Sequence, residues 1–185
     1  MSQSLTTDIH SVRVELEQTV KSIPDFPERG VTFRDLSPVW QNASLCEKSI
    51  VELASMVVLD SGFAPDAVVG VESRGFIFGM PLALHWNVPF VPFRKPGKLP
   101  GTLFTESYQL EYGTAEIQCQ VDCLKPGMKV LIHDDVLATG GTALAANKLV
   151  ELTGAETMGF AFVIELPKLQ GRGRLDSSIH ALLTY

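Results

Sequence analysis

Residues 130 to 142 read VLIHDDVLATGGT, a run in which an apolar stretch gives way to two adjacent acids and then to a turn of small residues. Val130, Leu131 and Ile132 have the character of a short, buried strand in a parallel sheet. Gly140 and Gly141 allow backbone N–H groups to crowd together where a helix is expected from Ala143 to Leu152. Free N–H groups and the positive end of the helix dipole make such a turn an anion site. Ala138, Thr139, Gly140, Gly141 and Thr142 would line it, with the two threonine hydroxyls as extra donors. Asp134 and Asp135 cannot serve the same anion, because like charges repel, so sugar hydroxyls or a bound cation are expected to face them. A phosphate at one end, with a diol and a metal a few ångströms away, describes a ribose 5-phosphate derivative. The Walker and dinucleotide-binding phosphate loops are excluded, since no Lys follows Gly141 and no GxGxxG occurs.

Two further strand ends deliver unusual polar residues. Ala67 to Val71 reads as a buried strand that runs into Glu72, Ser73, Arg74 and Gly75 before an apolar helix reaching Trp86. Pro89 to Phe93 reads as another strand, followed by Arg94, Lys95, Pro96, Gly97, Lys98, Leu99, Pro100 and Gly101, a basic segment too rich in Pro and Gly to be regular. Arg74, Arg94, Lys95 and Lys98 would give cationic surroundings to an anionic leaving group. Partial alternation over 105 to 122 predicts a hairpin returning from that loop, and Met158 to Ile164 and Ile179 to Leu183 predict two more strands.

Nearer the N-terminus, Ile9, Val12, Leu16, Val20 and Ile23 recur at near-helical spacing, which predicts a helix over 8 to 22 ended by Pro24. An extended arm is expected over 24 to 41. Asn42 is placed to cap a helix from 43 to 60, with Gly62 closing it. Strands alternating with helices predict an α/β fold, a central, mostly parallel sheet with helices on both faces and ligands beyond the carboxyl ends of the strands.

Composition narrows the function classes. With 185 residues the chain fits one domain, read as 1 to 185, and a net charge of -6 argues against a nucleic-acid partner. Three cysteines, Cys46, Cys119 and Cys123, do not suggest a disulfide framework and fit a reducing cytoplasm. No signal-peptide pattern opens the sequence and no run reaches 18 apolar residues, so neither export nor a membrane is expected.

The 130 to 142 run closely resembles the phosphoribosyl diphosphate (PRPP) signature of the type I phosphoribosyltransferases. The resemblance covers nearly the whole chain and narrows to the adenine-using branch through PDFPERGVTFRDLSPV (24 to 39), VGVESRGFIFG (69 to 79), RKPGKLPG (94 to 101), SYQLEYG (107 to 113) and VIELPKLQGR (163 to 172). It implies a fold with a small N-terminal hood or arm, about 1 to 41, and a mobile lid hairpin, about 94 to 118. It also implies transfer of the phosphoribosyl group of PRPP to adenine, giving AMP and diphosphate.

By that likeness Phe33 stacks on the purine while backbone groups around Thr32 and Arg34 read its edge. Arg74, Lys95 and Lys98 serve the diphosphate, and Arg94 reaches a partner subunit's site in a homodimer. Residues 138 to 142 hold the 5-phosphate, Asp134 and Asp135 the ribose hydroxyls, and Glu111 accepts the purine N7 proton. Arg74 and Glu111 are the catalytic candidates. Mg2+ is expected to ride on the diphosphate and water, with no direct protein ligand. Family members often have a non-proline cis peptide at the position of Glu72 and Ser73. One position departs from the pattern: His133 occupies a normally apolar site, and it is expected to be a neutral histidine satisfied by a local hydrogen bond. A 6-oxopurine enzyme and a non-catalytic PRPP sensor are the competing readings. The first wants a Lys within Met158 to Ile164, and the second wants an added DNA-binding module.

Overall fold

The computed structural model describes residues 2–109 and 113–185, with side chains from residue 11 onward. The chain divides into two compact units, Met1–Glu52 and Leu53–Tyr185.

In the first unit, helix α1 (Ser2–Thr19) buries Val12 and Leu16. It ends earlier than the apolar spacing predicts. Val20 donates to the Leu16 carbonyl, and the chain then turns into strand β1 (Lys21–Pro24), antiparallel to β2 (Thr32–Asp35). Pro24 therefore closes a strand instead of a helix, and Ile23, counted toward the helical stripe, is 39% exposed. The expected extended arm is likewise more structured. Asp25 adopts a left-handed conformation and accepts a 2.7 Å hydrogen bond from the Gly30 N–H, Phe26–Pro27 is cis, and α2 (Ser37–Trp40) forms a single turn with Pro38 inside its start. Pairing between β1 and β2 overrides local Pro and Gly content here. Helix α3 (Ala43–Ser61) begins as expected at Asn42, whose side chain accepts from the Leu45 N–H at 3.1 Å, and Gly62 closes it in the left-handed region.

The second unit is built on a five-stranded parallel sheet in the order β4 (Phe90–Phe93), β3 (Ala67–Val71), β7 (Lys129–Leu137), β8 (Glu156–Glu165), β9 (Ser178–Thr184). β7 is central, so both its edges are hydrogen-bonded and its residues 130 to 133 are fully buried. This strand runs well past Ile132. Register with β8 continues to Leu137 opposite Glu165, which carries Asp134 and Asp135 inside the strand instead of just beyond it. Strand alternation sends Val130 and Ile132 to one face, where they share a core with Ala145, Ala146, Leu149 and Val150 of α5 (Gly141–Leu152). His133 points to the other face and stacks on Phe78 of α4 (Gly75–Trp86), with ring centroids 6.5 Å apart. Outside the sheet, β5 (Leu103–Gln109) and β6 (Thr114–Gln120) form the expected antiparallel hairpin. Among the described residues no helix is long and apolar enough to cross a membrane, and Cys46, Cys119 and Cys123 are free thiols.

Candidate active site

At the carboxyl end of β7 the chain leaves the sheet through 138 to 140 and enters α5. Gly140 takes φ 78° and ψ 0°, a left-handed conformation that costs glycine little, and its carbonyl already accepts the N–H of Leu144 at 2.9 Å. The turn encloses a cavity of about 50 Å3 lined by Asp134, residues 138 to 142 and Phe162. That is ample for more than one water, since roughly 10–15 Å3 of such space holds one. The whole predicted anion turn and the first of the two acids thus meet in one concavity at a helix N-terminus.

Asp135 has a different environment. Adjacent strand residues face opposite ways, so its nearly buried carboxylate turns toward α4, where the Arg74 Nε lies 3.0 Å from its Oδ2. Arg74 sits at the N-cap of α4, and Gly75 lets that helix end close on β7: a Cβ there would meet the His133 carbonyl oxygen at 2.8 Å. Asp134 accepts the Asp135 N–H at 2.9 Å. Burial and the neighbouring Asp135 push the Asp134 carboxyl well above the usual carboxylate range. Asp135 is also raised by burial, with the Arg74 guanidinium pulling the other way. A ligand presenting hydroxyl donors to Asp134 would offset the desolvation.

The basic loop is anchored by a residue that the sequence reading left without a role. Glu72 accepts from the Arg94 side chain at 3.2 and 3.3 Å and from the Lys95 N–H at 2.9 Å. Burial works to raise its pKa, but those donors outweigh it and hold the carboxyl below its ordinary value. The available signal was a single acid among four cations. Arg94 also pairs through its backbone with Gln118 and reaches the Lys98 carbonyl at 3.4 Å, which ties the loop to the hairpin. Lys95 and Lys98 are exposed. The Glu72–Ser73 peptide is cis, as the resemblance implied.

The hairpin reaches the anion turn. A Cβ on Gly141 would lie 3.0 Å from the Gln109 carbonyl oxygen and 3.7 Å from the Tyr108 ring, and Lys148 of α5 is 2.6 Å from Glu106. Glu111 falls outside the described residues. Thr32, Phe33 and Arg34 lie on β2 of the first unit: Thr32 is exposed, Phe33 is half-buried with its ring edge-on to Phe26 at 5.3 Å, and Arg34 bonds Ser22. His133 is fully buried and pushed down to about 4 by desolvation, so it is neutral as expected. Neither ring nitrogen has a partner at full hydrogen-bond geometry, while the backbone of Ala161, opposite in the register, favours the protonated ring against the larger effect of burial.

A parallel sheet with an anion turn at its central strand and a hairpin over that turn defines a phosphoribosyltransferase domain, and the family model of that description matches residues 41–182. Adenine phosphoribosyltransferases are its relatives: that of Parasynechococcus marenigrum is 46% identical over 168 residues, 91% of this chain and 96% of the relative, and that of Trichodesmium erythraeum is 47% identical over 93% and 100%. The Saccharomyces cerevisiae enzyme, crystallised with adenine and an imino-altritol bisphosphate, superposes with a TM-score of 0.90 at 40% identity, covering 94% of this chain and 99% of that one. For the Rhodothermus marinus enzyme the TM-score is 0.87 at 47% identity, with 95% and 99% covered. The chain belongs to the adenine phosphoribosyltransferase family.

Proposed function

We propose that the chain transfers the 5-phosphoribosyl group of PRPP to adenine, giving AMP and diphosphate in purine salvage. The observation that carries this reading is the cavity joining Asp134 to the 138–142 turn, in a chain whose relatives are adenine phosphoribosyltransferases. A 5-phosphate fits the N–H groups and hydroxyls of the turn, and a ribose hydroxyl fits Asp134. Asp135 acts through Arg74, holding that guanidinium at the N-terminus of α4, where it would meet the diphosphate with Lys95 and Lys98. Arg94, held by Glu72, shapes the loop that presents those lysines, and in a homodimer it would also face the partner's site.

In the reaction the bond from C1 of ribose to the diphosphate oxygen breaks, the electron pair leaving with diphosphate, and purine N9 bonds to C1. The transition state has oxocarbenium character, and Asp134 would hold the ribose ring through a hydroxyl as that state forms. The N7 proton passes to Glu111, two positions after Gln109 in the sequence. Thr32, Phe33 and Arg34 bind adenine by ring stacking and backbone contacts. Closure of a lid at about 94 to 118 would exclude water that otherwise hydrolyses PRPP. Mg2+ would be carried by the substrate's own oxygens and water, with no direct protein ligand. When bound it neutralises charge on the departing diphosphate. The whole chain is read as one catalytic domain, cytoplasmic and homodimeric, with an arm over about 1 to 41.

Purified protein assayed with PRPP, Mg2+ and each purine base in turn tests this. AMP and diphosphate from adenine alone are expected. IMP or GMP as the main product would favour a 6-oxopurine enzyme, and PRPP binding without turnover would favour a sensor.

A further inference from the structure

The segment after β8 presses on the anion turn from behind. Glycine is required on both sides of that contact. A Cβ on Gly171 would overlap the Ala138 carbonyl oxygen and lie 2.8 Å from the Gly140 nitrogen and 3.0 Å from Leu137; a Cβ on Gly140 would lie 2.6 Å from the Gly171 carbonyl oxygen. Contacts below 3.0 Å against backbone cannot be relieved by a side-chain rotation, so a methyl group at 171 must move the turn or the segment.

The segment is not free to retreat. Arg172 grips the buried Glu165 at the end of β8 through two parallel hydrogen bonds, Nε to Oε1 at 2.8 Å and Nη2 to Oε2 at 2.5 Å, and its Nη1 donates to the Ile179 carbonyl of β9 at 3.2 Å. Leu166 N–H donates to the Leu137 carbonyl at 2.9 Å, so β8 and β7 leave the sheet in step. Gln170, in the left-handed region, reverses the chain between these two anchors.

We infer that Gly171, clamped by the Arg172–Glu165 pair, is a positioning element of the phosphate turn, fixing the 138–141 backbone so that its N–H groups converge on one anion. The inference rests on the phosphate-site reading above. It predicts a selective defect, because the clamp presses on the backbone of the turn proposed to hold the 5-phosphate.

Gly171→Ala should raise the KM for PRPP about tenfold to a hundredfold, the scale of a displacement near 1 Å in a binding site, and weaken calorimetric affinity for ribose 5-phosphate in parallel. The KM for adenine should stay within about twofold of wild type. Gly173→Ala is the control. It lies in the same segment with nothing within 4 Å of its Cβ position, so it should behave as wild type. Arg172→Ala should shift PRPP in the same direction, and Arg172→Lys should recover only part, since an ammonium cannot make the parallel pair. A melting temperature lowered with PRPP and adenine KM values unchanged, or raised equally, would make the clamp merely structural and overturn the inference. Should Gly171→Ala not fold, the arginine variants decide on the same criterion. Wild-type protein without affinity for ribose 5-phosphate would overturn the phosphate site itself and this inference with it.

Discussion

Asp134 and Asp135 are adjacent and chemically identical, yet strand alternation turns one to the anion cavity and the other to Arg74. The sequence reading gave both to the ribose. β7 runs through both acids, and adjacent residues of a strand face opposite ways. Glu111→Gln keeps the shape of the proposed base and removes its function. Single-turnover chemistry should slow by roughly 10² to 10⁴, with PRPP affinity near wild type, as rapid-quench measurement would reveal. Phe33→Ala should raise the KM for adenine far more than that for PRPP, whereas equal changes would make Phe33 a packing residue.

His133 affords a test by pH. Its pKa is depressed to about 4 from an ordinary 6.5, so between those values the unfolded chain binds more protons than the native one. The stability of the buried neutral ring is therefore fully present above pH 6.5 and is lost as pH falls toward 4, by at most on the order of 3 kcal/mol. His133→Leu, restoring the apolar character of the family pattern, should flatten the fall in melting temperature between neutral pH and pH 5. An unchanged slope would mean that the ring gains a partner in solution.

At the scale of elements, legibility followed hydrophobic period and punctuation. The strand Ala67–Val71, the helix cap at Asn42 and the stop at Gly62 stood where apolar runs, a capping residue and a glycine put them. The N-terminal region was misread where long-range pairing decided the outcome: Lys21–Pro24 is a strand because Thr32–Asp35 lies beside it, and no local pattern announces that partner. The Glu72 anchor and the Gly171 backstop were illegible for a related reason, since each depends on an atom more than 20 residues away. β7 is the element on which the sheet depends most. Ile132→Ala, at a fully buried position of that central strand, should cost about 2 to 5 kcal/mol through lost burial and a residual cavity, measured by denaturant unfolding. A loss near zero would show that the core around α5 collapses to fill the gap.

For the molecule as a whole, the net charge of -6 sets a cationic rim against an acidic background, which suits an anionic substrate whose charge must be gathered at one place. The 138–142 turn, the Asp134 carboxyl, the Arg74–Asp135 pair and the basic loop all derive from strand ends of one parallel sheet, the location at which such sheets bind ligands. The most direct test of the account is a crystal structure of the protein with AMP and diphosphate. The 5-phosphate should lie on the N–H groups of 138 to 142 with a ribose hydroxyl on Asp134 and diphosphate beside Arg74. A phosphate bound elsewhere, with the turn empty and Asp134 facing no sugar, would contradict it.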